Sequence, residues 1–161
     1  GSMLAISDQQ QLYLLEFVDR RGLETEIAVL RSRLNAVIIP QQTAIIQQLK
    51  QELTEYFAGN RTAFTVPIAL IGSDFQKAVW QQLLAMKIGE TYSYKQLAQR
   101  IGNEKATRAV ANANGKNQLA LIVPCHRVIN SDGSIGGYGG GIKRKKWLLA
   151  LEKQVQPTTM I

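Results

Sequence analysis

Cysteine and histidine each occur once, as the neighbours Cys125 and His126. A single thiol excludes an intramolecular disulfide, and one Cys with one His cannot complete a tetrahedral zinc site without several carboxylates. No metal and no cofactor is therefore expected, and any role of Cys125 is that of a thiol. Long apolar runs are also missing. None approaches the roughly 18 residues that a bilayer span requires. No charged, then apolar, then small-residue leader opens the chain. The expectation is a cytoplasmic protein without membrane association. Gly1-Ser2 reads as a scar of tag cleavage, with Met3 as the natural start.

Acidic residues are scarce in one half only. Residues 1–72 carry 6 basic and 7 acidic side chains, whereas residues 73–161 carry 13 and 5. A positive half suits a polyanion, because each Lys or Arg against a phosphate releases condensed counterions. A solvated basic face without a partner would give the same count, so charge alone does not choose. The 161 residues, 45% hydrophobic and 19% charged, suit one globular domain or two small ones.

Leu4–Ser7 and Leu12–Val18 read as strands joined by a polar turn at Asp8-Gln9-Gln10. Leu23, Ile27, Leu30 and Leu34 recur on one helical face, Ala36–Ile39 is a short extended run ended by Pro40, and Ile45, Leu49, Leu53 and Tyr56 mark a second helix. This first unit, residues 3–65, has a small α/β pattern and shows no chemistry. Residues 66–72 read as a linker to a second unit, 73–154, with 155–161 as a disordered tail. Ser73 or Asp74 opens a helix with Phe75, Val79, Leu83 and Met86 inward, which Gly89 breaks. Ser93-Tyr94-Lys95-Gln96 is a capping box, and its helix stops at Gly102. Asn103 caps a further helix, Lys105–Asn114, and the two short helices have the grammar of a helix-turn-helix. Leu119–Val123 reads as extended and leads into Pro124-Cys125-His126-Arg127-Val128. Six glycines fall in residues 133–141, followed by a helix from about Ile142 that packs Trp147, Leu148 and Leu151.

Cys125 is the only soft nucleophile. At an ordinary pKa of about 8.5 only a few per cent would be thiolate at neutral pH. Attack on carbon needs a base, and His126 is the only imidazole, with Arg127 adding charge. Neighbours in an extended segment face opposite ways, so a tight turn or a relaying water is required. Glu152, on the helix after the glycine-rich loop, is the choice for orienting the histidine. A buried cysteine that merely packs remains the bland alternative. The glycine cluster lacks the Gly-Lys-Ser/Thr ending of a phosphate-binding loop, so it reads as a pocket wall.

The pentapeptide Pro124-Cys125-His126-Arg127-Val128 resembles the signature of the O(6)-alkylguanine-DNA alkyltransferases. The resemblance runs from Phe75-Gln76 and Val79-Trp80 through Gly89-Glu90, Ser93-Tyr94, Arg108-Ala109-Val110 and Gly136-Gly137-Tyr138. It ends at Trp147-Leu148-Leu149 and Glu152, with a looser likeness at Tyr56-Phe57 and Gly59. It implies a small RNase H-like α/β first domain and a mainly helical, winged-helix-like second domain. It implies irreversible, stoichiometric repair of O(6)-alkylguanine, and of O(4)-alkylthymine, in double-stranded DNA by a monomer. Cys125 would accept the alkyl group and His126 would take its proton through a water, with Glu152 behind. Asn117 would brace the turn, and Tyr94 would bind the guanine ring nitrogen and protonate the leaving base. The carbonyls of Cys125 and Val128 would read the exocyclic amine. Tyr138, Gly139 and Gly140 would form the wall, with Lys145 near it; Gly139 stands where many relatives have serine. Minor-groove binding would fall to Ser93, Tyr94, Asn103, Lys105, Thr107, Arg108 and Ala109, with Arg108 filling the gap left by a flipped base. Ala106, Ala109, Ala111 and Ala113 make that helix slim. Rival readings are an alkyltransferase-like protein that binds without repairing, a cysteine hydrolase that turns over, and a DNA-binding module with a structural cysteine.

Overall fold

A computed structural model describes residues 1–155, so the expected tail lies outside the described residues except for Val155, which is still helical. In the first unit β1 (Met3–Ser7) and β2 (Leu12–Phe17) form an antiparallel hairpin. Its turn is closed by Asp8 Oδ1, which accepts from the amides of Gln10 and Gln11 at 2.7 and 2.8 Å. Five of the six β2 residues are buried, on both faces. Full burial of each leucine contributes about 1.5–3 kcal/mol, so β2 is the seam of the molecule.

The free edge of β2 explains the arrangement of the two units. The stretch read as a linker pairs with it, through Leu12 N to Pro67 O (2.8 Å) and Ala69 N to Leu12 O (2.9 Å). Further along, Leu15 N donates to Gln118 O and Ala120 N to Leu15 O, both at 2.9 Å. Backbone from the second unit therefore continues a ladder begun by the first.

Helix α1 (Leu23–Leu34) buries only Leu30 completely and lies at the periphery. Residues 36–39 pair with no strand and run as a loop up to Pro40. Helix α2 (Ala44–Phe57) is capped by Thr43 and buries Ile45, Leu49, Glu52 and Tyr56, the 4-3-4 spacing of one face. Glu52 holds the chain as it leaves, accepting from the amides of Thr65 (2.6 Å) and Val66 (3.2 Å).

In the second unit α3 (Asp74–Leu84) starts at a full capping box of Ser73 and Gln76 and ends before Gly89. Phe75 is exposed, and Trp80 is buried instead, donating from Nε1 to Ala113 O at 2.9 Å. The two-residue strand β3 (Tyr92–Ser93) leads into α4 (Tyr94–Arg100), which the Ser93–Gln96 capping box opens. Gly102, at φ +79°, takes the left-handed turn that L side chains avoid. Asn103 makes no side-chain cap; a 3₁₀ turn, Glu104–Ala106, precedes α5 (Thr107–Gly115). The helix thus starts two residues later than the sequence suggests.

Leu119–Val123 is not extended. The chain doubles back through Ile122 N to Ala120 O and Val123 N to Leu119 O, with Leu121 at φ +71°. The run is apolar because it is enclosed on every side, and such a run carries no periodicity that distinguishes strand from turn. The last elements are β4 (Val128–Ile129), parallel to β3, and α6 (Ile142–Val155). Helix α6 buries Lys145, Leu148 and Glu152, while Trp147 is 54% exposed and does not pack inward as expected. No helix among the described residues is long and apolar enough to cross a membrane.

Candidate active site

The thiol sits on a turn fixed at both ends. Before it, the doubled-back segment anchors on β2; after it, β4 pairs with β3 at Tyr92–Val128 and Ser93–Ile129. Between them Cys125–Arg127 is one turn of 3₁₀ helix. Successive side chains there rotate by about 120°, so Cys125 and His126 sit on the tight turn that the sequence requires and no longer point to opposite faces. The β3–β4 pairing also places Tyr94, the first residue of α4, on the Cys125 side. Burial raises the Tyr94 hydroxyl pKa, and the nearby Cys125 adds to the rise.

Cys125 is buried. Asn117 Nδ2 donates to its Sγ at 3.2 Å and to Val123 O at 2.7 Å, and Asn117 Oδ1 accepts from Leu119 N at 2.9 Å. Asn117 therefore braces the turn and touches the sulfur. Burial pushes the Cys125 thiol pKa up; the Asn117 hydrogen bond and the Arg20 and Lys145 charges pull it back, and Glu16 opposes them.

His126 is fully buried, with Nε2 at 2.6 Å from Glu152 Oε1. Glu152 also accepts from Arg127 Nε (2.8 Å) and Nη2 (3.0 Å) and from the Tyr56 hydroxyl (2.8 Å). Burial alone would raise the Glu152 carboxyl pKa, but the hydrogen bonds from His126 and Arg127 hold it down to about 2. An ionised carboxylate only accepts, so Nε2 of His126 carries the hydrogen and Nδ1 keeps its lone pair. Burial lowers the imidazole pKa more than Glu152 raises it. The ring is thus a neutral base, and Nδ1 is buried without a protein partner among the described residues.

The wall is tied to the same turn. Lys145 Nζ donates to Val128 O at 2.6 Å and to Gly137 O at 3.0 Å. Burial brings the Lys145 pKa down to about 8. Tyr138 meets the His126 ring edge-on, centroids 6.4 Å apart, and burial raises its hydroxyl pKa strongly. A Cβ on Gly139 would lie 2.7 Å from Arg20 Cζ, and one on Gly140 would lie 2.8 Å from Phe17 Cδ2. Only glycine lets this loop lie so close to the first unit. The two carbonyls expected to read guanine are not bare. Cys125 O accepts from Val128 N and from Asn114 Nδ2 (3.4 Å), and Val128 O from Lys145.

The remaining candidates form a second group on the helix pair. Arg108, Ala109, Lys105 and Asn103 are exposed, and Thr107 is half-buried with its hydroxyl donating to Glu104 O at 3.2 Å. Val110, Ala113 and Asn114 turn inward on the opposite side of α5. Ser93 is occupied as the cap of α4.

Sequence reasoning found no chemistry in the first unit, and here the structure differs. Tyr56 reaches Glu152 from α2, and Arg20 reaches Asn117 O at 3.1 Å from the turn after β2. Asn114 and the hold of Arg127 on Glu152 were also missed. Only Tyr56 left a signal, in the loose likeness around Tyr56-Phe57.

Comparison with known proteins agrees with this geometry. Residues 74–154 match the DNA binding domain of 6-O-methylguanine DNA methyltransferase, and residues 1–70 match its ribonuclease-like domain. A methylated-DNA--protein-cysteine methyltransferase of Mycobacterium tuberculosis is 52% identical over 109 residues, 68% of this chain. That match spans 66% of the relative's own length, just under two thirds. The protein of the same name from Methanosarcina acetivorans is 46% identical over 106 residues, 66% of this chain and 68% of its own. A crystal structure of Mycobacterium tuberculosis OGT in complex with DNA superposes with a TM-score of 0.83 at 38% identity, covering 97% of this chain and 89% of that one. With both units matched and in order around the buried Cys125–His126 turn, the chain belongs to the 6-O-methylguanine DNA methyltransferase family.

Proposed function

We propose that this protein repairs double-stranded DNA by moving the alkyl group of O(6)-alkylguanine irreversibly onto Cys125, once per molecule. The observation that carries the reading is the turn that sets a thiol, braced by Asn117, next to a neutral histidine oriented by Glu152. The mycobacterial and archaeal relatives are named for transfer from methylated DNA to a protein cysteine, and the mycobacterial structure holds DNA.

The thiol proton passes through a water to His126 Nδ1, and Glu152 stabilises the imidazolium. The Cys125 thiolate attacks the alkyl carbon in line. The S–C bond forms as the C–O6 bond breaks, and guanine leaves with a proton from Tyr94, which the imidazolium restores. The net result is a thioether and guanine, the thiol proton having moved to the base. A thioether is not hydrolysed, so the reaction ends there. A carbonyl oxygen accepts twice, so Val128 O keeps a lone pair for the exocyclic amine beside its bond from Lys145, whereas Cys125 O meets the amine by giving up the long Asn114 bond. Tyr138, Gly139, Gly140 and Lys145 enclose the alkyl group, and O(4)-alkylthymine fits the same chemistry.

The target atom lies inside the duplex, so the base is flipped out. The exposed Arg108 and Ala109 on α5 suit entry into the minor groove, with Lys105, Thr107, Asn103, Ser93 and Tyr94 along its path. In this reading the first unit, residues 3–65, is RNase H-like and the second, 73–154, winged-helix-like. The protein acts as a cytoplasmic monomer.

Intact-mass measurement with a peptide map tests the proposal. After incubation with an alkylguanine oligonucleotide, the protein should gain one alkyl group on the Cys125 peptide, and Cys125→Ala should gain none while keeping duplex affinity. An unchanged mass, an adduct elsewhere, or sustained turnover would each remove the reading.

A further inference from the structure

Arg20 leaves the first unit and ends among the residues of the transfer site. It sits three residues past β2, half-buried, and its guanidinium donates to two backbone carbonyls of the second unit: Nη2 to Gly115 O at 2.8 Å and Nη1 to Asn117 O at 3.1 Å. Gly115 is the last residue of α5, where carbonyls have no partner within the helix and the helix dipole is negative. Asn117 is the residue whose side chain touches Cys125 Sγ. The flank of the same guanidinium lies on Gly139, where a Cβ would stand 2.7 Å from Cζ. One planar group thus meets the end of α5, the brace of the thiol turn and the pocket wall.

We propose that Arg20 is a positioning residue for alkyl transfer, locking α5, Asn117 and the Gly139 wall into register around Cys125. The proposal rests on the transfer reading given above. Two acids hold the guanidinium from its own side, Glu16 at 2.6 Å and Glu26 at 3.4 Å. The Glu16 contact is poorly aligned, for neither of its oxygens receives a hydrogen bond. Burial and the neighbouring Glu26 push the Glu16 carboxyl pKa up, which weakens its hold on the arginine charge. That charge bears on Cys125 together with Lys145, against Glu16, with His126, Tyr94 and Tyr138 completing the titratable surroundings. A lysine could supply the charge but not the fork that spans two carbonyls.

Single-turnover transfer from a free alkylguanine base to the full-length protein, followed by intact mass between pH 6 and 10, tests this on wild type, Arg20→Met and Arg20→Lys. Arg20→Met should move the inflection of the pH–rate profile up by about one unit and lower the rate at pH 7 about tenfold, the loss of thiolate that such a shift entails. Arg20→Lys should return the inflection to the wild-type position while leaving the rate about threefold to tenfold low, for want of the two carbonyl bonds. One inflection and one rate shared by all three proteins, whatever their melting temperatures, would reduce Arg20 to a scaffold contact and overturn the proposal. Should Arg20→Met not fold, Arg20→Lys decides alone: a lowered rate at an unmoved inflection upholds it, and a wild-type rate removes it. A wild type that gains no alkyl group would instead sink the functional reading beneath it.

Discussion

Replacing Glu152 by Gln removes the charge on which three side chains converge. The carboxylate is 1% exposed and accepts from His126, from two nitrogens of Arg127 and from Tyr56. Its pKa falls from the ordinary 4.5 to about 2. At about 1.36 kcal/mol per unit, that drop is worth roughly 3 kcal/mol at neutral pH. Gln also turns an amide NH₂ toward the Arg127 guanidinium, leaving a buried cation unpaired, and breaking such pairs costs about 3–5 kcal/mol. The two routes give the same size. Urea denaturation at pH 7, with a slope of about 1–3 kcal/mol per molar, should show the midpoint of Glu152→Gln lowered by about 1–3 M. A folded-state pKa below the unfolded one contributes fully above pH 4.5 and is lost as pH falls toward 2. The gap between wild type and variant should therefore be constant from pH 8 to about 5.5 and mostly closed at pH 3. An equal midpoint at pH 7, or a gap just as wide at pH 3, would show that the carboxylate charge does not hold this centre together.

Arg108→Ala should slow repair of alkylated duplex far more than reaction with a free alkylguanine base, because the exposed Arg108 acts on the helix and not on the thiol; equal losses in single-turnover assays would place it in folding or chemistry. Ser93→Ala removes the capping box of α4 and should cost about 1 kcal/mol. By calorimetry that is a melting temperature lower by about 2–4 °C; an unchanged melting point with weaker duplex binding would instead assign the hydroxyl to phosphate.

What could be read in the chain was what lies close together along it. The Ser93 capping box, the helix start at Ser73 and the left-handed Gly102 are local devices, and each appears as written, while the buried face of α2 takes Glu52 in place of the expected Leu53. Glu152 was reachable as well, because α6 follows the glycine loop directly. The failures are those of tertiary context. Leu119–Val123 is hydrophobic because neighbours surround it, so its reversal at Leu121 left no pattern. Trp147 reads as a better core residue than Lys145, yet Lys145 is inside, since the carbonyls of Val128 and Gly137 accept hydrogen bonds from its ammonium. Tyr56 and Arg20 lie 96 and 97 residues from their partners Glu152 and Asn117, and nothing in the spacing could join them.

The ladder on the free edge of β2 ties the two halves together along a single strand. A fragment cut after residue 72 would lose the strand that pairs with Gln118 and Ala120, and would lose Tyr56 and Arg20 with it. What remained would carry the whole signature pentapeptide on an unsupported loop, with apolar residues such as Leu119 facing water. Grafting or trimming schemes that follow the sequence motif should therefore fail unless the first seventeen to twenty residues travel along, since the acceptor is assembled from both ends of the polypeptide.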